Sequence, residues 1–338
     1  MDFVSGEILT KDGFTNGYLG FNKKKIIETG RGPSPKKPIC KGLIIPTFVN
    51  AHTHIGDSFV RDKNITLPKN IEKLVAPPNG LKHRLLHEAS NEDIIEGMEK
   101  SIDIMIKSGT SFFCDFRENG ILGISQLKSA LKLWKIKSLI LSRPDSLEYN
   151  KDEIDIILRN SDGIGISSIS DWDFSELKKV AKQTKQKNKI FSLHASERIR
   201  ENIDDILDLK PNFVVHMLKA KEADLIKIKD ENIPLIICPR SNSFFGMQPN
   251  YKLLKKNHIK IIIGTDNVMV NTPIMFEEIK YIRSVTKEFT IFDLLYMTTF
   301  EARKVLNLDC DILGSNSQAD FVVLDKKTLK PLYISVCR

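Results

Sequence analysis

The sequence contains few cysteines, and none of them lies close to another. The five cysteines among its 338 residues are Cys40, Cys114, Cys238, Cys310 and Cys337. Structural zinc sites and disulfide frameworks need cysteines at short, regular spacings, so this separation excludes both. We expect free thiols in a reducing compartment, which favours a cytoplasmic protein.

Long apolar stretches and basic tracts are missing as well. No run approaches the roughly 18 apolar residues that a membrane-spanning helix needs, and residues 1–7 lack the basic and apolar regions of a secretory signal. The net charge of +8 comes from lysines and arginines scattered along helix-like segments, without a basic run interleaved with aromatic residues. We therefore expect neither a membrane nor a nucleic acid as a partner. The sequence leaves the oligomeric state open, and a homo-oligomer is one of the states it allows.

The composition is that of a folded globular protein. Hydrophobic residues make up 41% and charged residues 28% of the chain, enough to bury a sizeable core. A barrel of alternating strands and helices commonly takes about 250 residues in one domain. The length therefore fits one such barrel with a small appendage.

Short apolar runs with strand character alternate with segments of helical periodicity. The runs, eight in number, begin near Leu43, Thr110, Ser138, Gly163, Lys189, Phe213, Leu235 and Ile261. The pair Ser90 and Asp93 predicts the start of a helix whose apolar residues recur on one face until Gly109. Eight strand and helix units predict an α/β fold, a closed (β/α)8 TIM barrel over residues 43–306.

Both ends of the chain are β-prone. Residues 1–42 alternate short strand-like pieces with turn signals such as Lys11-Asp12-Gly13, and residues 319–325 and 332–334 regain strand character after a long helical region. We predict that residues 1–42 and 307–338 form a small composite β-sheet domain.

Histidines and one aspartate follow four of the apolar runs. They are His52, His54, His194, His216 and Asp266. Side chains two apart in a strand project to the same side, so His52 and His54 can grip one ion together. The C-terminal strand ends of a barrel meet on one face, where the active site of such folds lies. Imidazoles and a carboxylate suit zinc or ferrous iron, and the pattern predicts a divalent metal site there.

Glu197 and His216 are candidates for proton transfer. Glu197 lies three residues beyond His194, where it could reach over the pocket and move a proton, or could be a surface glutamate at a helix start. His216 could be a fourth nitrogen ligand, a hydrogen-bonded core histidine, or a group that orients the attacking hydroxide and stabilises developing charge. We favour the last of these roles.

Several polar residues on the same face are candidates for substrate contacts. They are Asp57, His83, Arg117, Arg143, Arg240 and Asn242. Each of them, like Glu118, could equally support a neighbouring side chain. His83 and His87 are four apart, but a pocket wall or an exposed helix is favoured over a metal pair. Residues 56–90 form an unusually long connection and are a candidate lid or pocket wall.

Together these residues resemble the amidohydrolase superfamily, in its cytosine deaminase and chlorohydrolase-like branch. The motifs span nearly the whole chain and are Pro46-Thr47-Phe48-Val49-Asn50-Ala51-His52-Thr53-His54, His194-Ala195-Ser196-Glu197, Val215-His216, Cys238-Pro239-Arg240-Ser241-Asn242 and Gly264-Thr265-Asp266-Asn267. The resemblance implies one metal bound by His52, His54, His194 and Asp266. It also implies that Glu197 shuttles protons, that His216 assists, and that Asp266 takes part in catalysis.

The resemblance further implies a single metal ion, zinc in the first place and iron in the second. Two-metal members of the superfamily use a carboxylated lysine near the end of the fourth barrel strand, and residues 163–170 contain no lysine. The leading functional hypothesis is hydrolytic deamination of an amino-substituted heterocycle, a nucleobase, nucleoside or related small molecule. Metal-bound hydroxide would attack the ring carbon that carries the amino group, with Glu197 as the proton shuttle.

Two other functions remain open at this point. The same residues could hydrolyse a cyclic amide or displace another leaving group from an aromatic ring. A non-catalytic metal-binding or ligand-binding barrel is the alternative from a different class, although such a protein needs no proton shuttle at position 197. The His-x-Glu and Cys-x-x-Cys pattern of nucleic-acid deaminases is absent.

Overall fold

A computed structural model describes residues 1–63 and 65–336 of the chain, and its strands form two sheets. In chain order the strands are β1 (Asp2–Thr10), β2 (Gly13–Phe21), β3 (Ile26–Arg31), β4 (Cys40–Pro46), β5 (Phe48–His54), β6 (Thr110–Arg117), β7 (Lys137–Ser142), β8 (Gly163–Ile166), β9 (Ile190–Ala195), β10 (Phe213–His216), β11 (Leu235–Ile237), β12 (Ile261–Ile263), β13 (Asp266–Asn267), β14 (Phe321–Leu324) and β15 (Pro331–Ser335).

The helices fall mostly between the strands of the larger sheet. The α-helices are α1 (Ile71–Val75), α2 (Leu81–Glu88), α3 (Asn91–Lys107), α4 (Gly120–Leu131), α5 (Lys151–Asn160), α6 (Phe174–Gln186), α7 (Ile203–Asp208), α8 (Glu222–Asp230), α9 (Pro239–Phe244), α10 (Tyr251–Lys256), α11 (Met275–Val285), α12 (Ile291–Met297) and α13 (Phe300–Val305). Short 3-10 helices cover Ile55–Asp62 and Ile169–Asp171.

The larger sheet closes into a barrel. Its strand order is β12-β11-β10-β9-β8-β7-β6-β5-β13, and every pair in it is parallel. Strands β12 and β13 are separated only by Gly264 and Thr265, so they are two halves of one eighth strand. The pairing of β13 with β5 closes the ring, which confirms the predicted (β/α)8 fold.

The predicted composite sheet at the chain ends is also present. Its order is β15-β14-β4-β1-β2-β3, so strands from both ends of the chain pair side by side. Residues 43–46 belong to β4 and pair with β14 in this sheet, and the first barrel strand is β5. The domain boundaries 1–42, 43–306 and 307–338 remain a prediction, and residues 337 and 338 lie outside the described residues.

Helix α3 follows the sequence pattern closely. The Ser90 hydroxyl accepts a hydrogen bond from the Asp93 amide at 3.1 Å, as predicted for the helix start. Gly109 follows the helix with φ of +90°, a left-handed conformation that glycine adopts readily. The face of α3 that carries Ile94, Met98 and Ile102 is buried in the main core.

Two further expectations concern thiols and membranes. Cys40, Cys114, Cys238 and Cys310 are free, as expected, and Cys337 lies outside the described residues. Within residues 1–63 and 65–336, no helix combines the length and the apolar character needed to cross a membrane.

Residues 55–63 and 65–90 include the 3-10 helix Ile55–Asp62 followed by α1 and α2, and residues of this segment line the cavity at the barrel face. Helix α3 supports the 3-10 helix through a close approach at Gly97, where an added Cβ would lie 2.6 Å from the Phe59 backbone nitrogen. Real Cβ atoms do not approach backbone so closely, so glycine is required at this crossing.

We therefore expect Gly97→Ala to destabilise the protein by about 1–3 kcal/mol through overpacking. Helix propensity alone would give the opposite sign, a gain of about 1 kcal/mol. The midpoint of urea unfolding measures the difference, and a higher midpoint for the variant would contradict the close approach.

Candidate active site

Side chains from three barrel strands converge at the C-terminal face of the barrel. The Nε2 atom of His194 lies 3.2 Å from Nε2 of His52 and 3.3 Å from Nε2 of His54. Asp266 Oδ1 lies 3.4 Å from Nε2 of His52 and 3.6 Å from Nε2 of His54. The pairing of Asp266 with Thr53 holds β13 beside β5 and brings the carboxylate to the two histidines.

His216, at the end of β10, joins this group. One ligand atom from each of His52, His194, His216 and Asp266 lies within 4.8 Å of the others. His54 falls outside that set of four, yet its contacts to His194 and Asp266 are shorter than 4 Å. His216 is the outer member of the cluster, since its ring centroid lies 6.0 Å from that of His52, compared with 4.9 Å for His54.

The hydrogen-bond partners of Nδ1 determine which ring nitrogen carries the proton in His194 and His54. His194 Nδ1 lies 2.8 Å from the Ile166 carbonyl oxygen, which can only accept, so Nδ1 carries the proton. His54 Nδ1 lies 2.8 Å from Glu118 Oε1, and the same argument applies because this carboxylate is ionised. Both Nε2 atoms therefore present lone pairs to each other, an arrangement that a bound cation would stabilise.

The ionisation states agree with these tautomers. Burial, with the charge of Lys82, lowers the pKa of His54 to about 3. Burial and the neighbouring histidines also lower the pKa of His194 well below its usual range. Burial opposes ionisation of Glu118, but the charges of Lys82, His54 and Arg117 lower its pKa well below the usual range. The imidazoles of His54 and His194 are thus neutral, which is the form that binds metals.

The backbone is strained where the strands end. Ser196, His216 and Asp266 have φ values of 47°, 77° and 61°, in the left-handed region that side chains other than glycine rarely adopt. Such residues cost on the order of 1–3 kcal/mol each and persist where the surrounding structure holds them. All three lie beside the histidine and aspartate cluster, whose contacts hold them in this conformation.

Glu197 lies next to His216 above the cluster. Its Oε1 is 3.3 Å from His216 Nε2, and its side chain is 15% exposed. Burial, with the negative charge of Asp266, raises the pKa of Glu197 well above its usual range. Its surroundings therefore favour the protonated carboxyl group, which faces the cavity.

His216 and Asp266 are each held by a residue of helix α9. The Asn242 amide nitrogen lies 3.2 Å from His216 Nδ1, so it donates to that nitrogen and leaves the proton on Nε2. Burial, the largest cause, lowers the pKa of His216 to about 4, so the ring is neutral. Ser241 donates to Asp266 Oδ2 at 2.5 Å. Burial opposes ionisation of Asp266, yet its hydrogen bond with His52 and the nearby histidines lower its pKa well below the usual range.

A cavity of about 50 Å³ lies over the cluster, and a larger one lies beside it. Its lining includes the cluster residues His54, His194, His216, Glu197 and Asp266, the wall residues Val75, Ala76 and Pro77, and the polar residues Lys82, Glu118, Arg143, Ser167, Ser168, Asp171, Arg198 and Asn267. The adjoining cavity has a volume of about 470 Å³, within the usual range of small-molecule sites, and shares Pro77, Glu118 and Arg143 with the first. Residues 75–77 are thus a pocket wall, one of the two roles considered for the 56–90 segment.

The six candidates for substrate contacts occupy different places. Arg143 lines both cavities, and His83 lines the larger one, with the two side chains 3.4 Å apart. Asp57, Arg117 and Asn242 are buried, and in the described part of the chain they support other residues without lining either cavity. Arg240 bonds to Thr272 and Glu278.

Sequence reasoning missed Lys82 and the full importance of Glu118. Glu118 directly follows β6, and its position at a strand end was a usable signal. Lys82 lies in helix α2, away from any strand end, and its side chain is only 3% exposed. Nothing local distinguishes it from the other lysines of the chain.

Comparison with known proteins supports the resemblance inferred from the motifs. Residues 43–336 match the model of the Amidohydrolase family. An uncharacterized protein of Methanocaldococcus jannaschii is 36% identical over 325 residues, which cover 90% of this chain and 81% of that protein. The 5-methylthioadenosine/S-adenosylhomocysteine deaminase of Thermoanaerobacter pseudethanolicus is 24% identical over 330 residues, covering 84% of this chain and 74% of that protein.

Among solved structures, Helicobacter pylori aminofutalosine deaminase in complex with methylthio-coformycin has the same fold. The TM-score is 0.74 at 16% sequence identity, and the match covers 96% of this chain and 92% of that chain.

Proposed function

Because this chain belongs to the amidohydrolase family and is a hydrolase of carbon–nitrogen bonds other than peptide bonds, we propose that it hydrolytically deaminates an amino-substituted heterocycle. The observation that carries the proposal is the position of Glu197, a carboxyl group with a raised pKa beside His216 and above the histidine and aspartate cluster. A site that only binds metal needs no such acid. The deaminases among the relatives support the same reaction.

The metal in this proposal is a single divalent ion, zinc before iron, held by His52, His54, His194 and Asp266. Three imidazoles and one carboxylate match the donors that zinc prefers, and the facing lone pairs of the His54 and His194 rings fit a cation between them. Such an ion supplies a Lewis acid that lowers the pKa of a water molecule toward about 7. Strand β8, the fourth of the barrel, carries no lysine for a second ion.

Glu197 acts first as an acid in the proposed reaction. Its raised pKa keeps a proton on the carboxyl group, which donates it to the ring nitrogen next to the carbon that bears the amino group. Protonation withdraws electron density from that carbon, so that water oxygen can form a bond to it. The ring carbon becomes tetrahedral at this stage.

His216 and Asp266 complete the proton transfers. His216 presents an Nε2 proton, because Asn242 occupies Nδ1, and this proton can hydrogen-bond the oxygen that attacks the ring. Asp266 accepts the proton that the water loses and passes it to the departing amino group. The carbon–nitrogen bond then breaks and its electron pair leaves on ammonia. The remaining hydroxyl proton returns to Glu197, and the ring retains the water oxygen as a carbonyl.

The substrate class is a nucleobase, a nucleoside or a related ring. The relatives named 5-methylthioadenosine/S-adenosylhomocysteine deaminase and 5'-deoxyadenosine deaminase act, by their names, on adenosine derivatives. The adjoining cavity of about 470 Å³ leaves room for a substituent beyond the ring. Purine nucleosides are therefore the first compounds to test.

We expect zinc-loaded protein to contain about one metal ion per chain. His194→Ala should lose it, whereas His258→Ala, a change at an exposed histidine, should keep it. Elemental analysis after gel filtration gives the stoichiometry. Equal zinc in both variants would overturn the metal assignment.

Ammonia release tests the reaction itself. A panel of purine nucleosides, free purines, pyrimidines and pterins should contain at least one compound from which the protein releases ammonia. Glu197→Gln should retain zinc and lose about 10²–10⁴-fold in turnover, because the proton donor is gone. Glu231→Gln, at an exposed glutamate, should match the unmodified protein.

The outcomes separate the competing functions. Consumption of a cyclic amide without ammonia would favour ring hydrolysis by the same site. Full activity of Glu197→Gln would exclude Glu197 as the proton donor. If zinc-loaded protein released no ammonia from any compound of the panel, a non-catalytic binding protein would be favoured.

Asn242 provides a further test of the role of His216. Asn242→Leu removes the donor to Nδ1, so the ring no longer holds its proton reliably on Nε2. We expect turnover to fall about 10–100-fold with the zinc content unchanged, as for other residues that orient a ligand or an acid. Unchanged turnover would show that the tautomer of His216 does not matter.

A further inference from the structure

Lys82 is a buried cation that the proposed reaction does not use. Its side chain is 3% exposed, and its Nζ lies 2.6 Å from Glu118 Oε1 and 2.8 Å from Asn267 Oδ1. A third oxygen, Asp57 Oδ2, lies at 3.5 Å. Burying an ammonium group is costly unless it is paired and hydrogen-bonded, and all of its close partners here are oxygens.

Two of these contacts lead directly to proposed metal ligands. Glu118 Oε1, which accepts from Lys82, also accepts from His54 Nδ1 at 2.8 Å. Asn267, which accepts from Lys82 through Oδ1, donates through Nδ2 to Asp266 Oδ1 at 2.9 Å. One ammonium group thus fixes the partner of His54 and the partner of Asp266.

The two proposed metal ligands lie on the two strands whose pairing closes the barrel. His54 ends β5, and Asp266 begins β13, which pairs with it. Lys82 belongs to neither strand but to α2, in the 55–90 segment. It therefore links a third part of the chain to both.

Helix α2 is also connected to the pocket wall. His83, the next residue after Lys82, lies with Nε2 3.0 Å from the Val75 carbonyl oxygen. Val75, Ala76 and Pro77 line the cavity together with Lys82. The wall and the metal cluster consequently share one anchoring helix.

We propose that Lys82 is a positioning residue that orients His54 and Asp266 for the metal and couples metal binding to the order of the pocket wall. The inference rests on the metal site of the proposed function. Because coupling between two events is reciprocal, a metal that fixes the two ligands also stabilises α2 and residues 75–77, and the loss of Lys82 weakens both. A purely structural ion pair would change stability without changing metal affinity.

The primary test is zinc affinity, measured by competition with a chromogenic chelator. Lys82→Met should bind zinc about 10–100-fold more weakly than the unmodified protein, the usual cost of removing a partner behind a ligand. Lys73→Met, at an exposed lysine of α1, is the matched control and should not change the affinity. Unchanged affinity in folded Lys82→Met overturns the proposal.

A double variant tests the route through Glu118 and avoids an unpaired buried charge. Lys82→Gln combined with Glu118→Gln leaves two neutral amides, so it tests the proposal even if Lys82→Met does not fold. Because Lys82 also reaches Asp266 through Asn267, the double variant should bind zinc more weakly than Glu118→Gln alone, but by less than the sum of the two single losses. Independent, additive losses would contradict this route, and affinity equal to that of the unmodified protein would overturn the proposal.

Hydrogen exchange followed by mass spectrometry provides a readout that does not depend on activity. Zinc should slow exchange in residues 71–88 of the unmodified protein and of Lys73→Met, and should slow it little in Lys82→Met. Equal zinc protection in all three proteins would overturn the coupling. Failure of the unmodified protein to bind zinc would instead remove the metal site itself, so the two failures are distinguishable.

Discussion

The convergence of imidazole lone pairs is the constraint on which the site depends. His54 and His194 each give the proton on Nδ1 to a fixed acceptor, so their Nε2 atoms face each other at 3.3 Å with no hydrogen between them. Two acceptors at this distance repel, and the rest of the fold has to hold them there. The barrel supplies that restraint, because each histidine sits at the end of a strand paired on both sides.

The eighth strand shows how the backbone accommodates this convergence. Gly264 separates its two halves, and a Cβ at this position would lie 2.6 Å from the Cβ of His52. Only glycine lets the strand pass so close to β5. Two residues later Asp266 takes a left-handed conformation, and its carboxylate lies beside the histidines. A small residue and a strained one thus work together to place a single carboxylate.

Much of the fold and of the cluster follows from local sequence signals. Metal-ligand side chains at strand ends could be recognised because β-strands alternate their faces and barrel strands end on a common face. The sequence did not show which sheet residues 43–46 belong to, because a buried apolar run looks the same in either sheet. Only their pairing with β14 places them in the smaller sheet. The role of Lys82 could not be predicted from the sequence for a related reason. Its burial results from contacts with Asp57, Glu118 and Asn267, which lie far apart in the sequence, and helix α2 carries no pattern that announces them.

The pairing of β4 with β14 has a consequence for synthesis on the ribosome. Strand β4 lies between β1 and β14, so one of its edges has no partner until nearly the whole chain has been made. At about 5–20 residues per second, that edge stays open for tens of seconds. An open strand edge is a template for pairing with another chain, so the nascent protein passes through a stage in which chaperone protection has its greatest value.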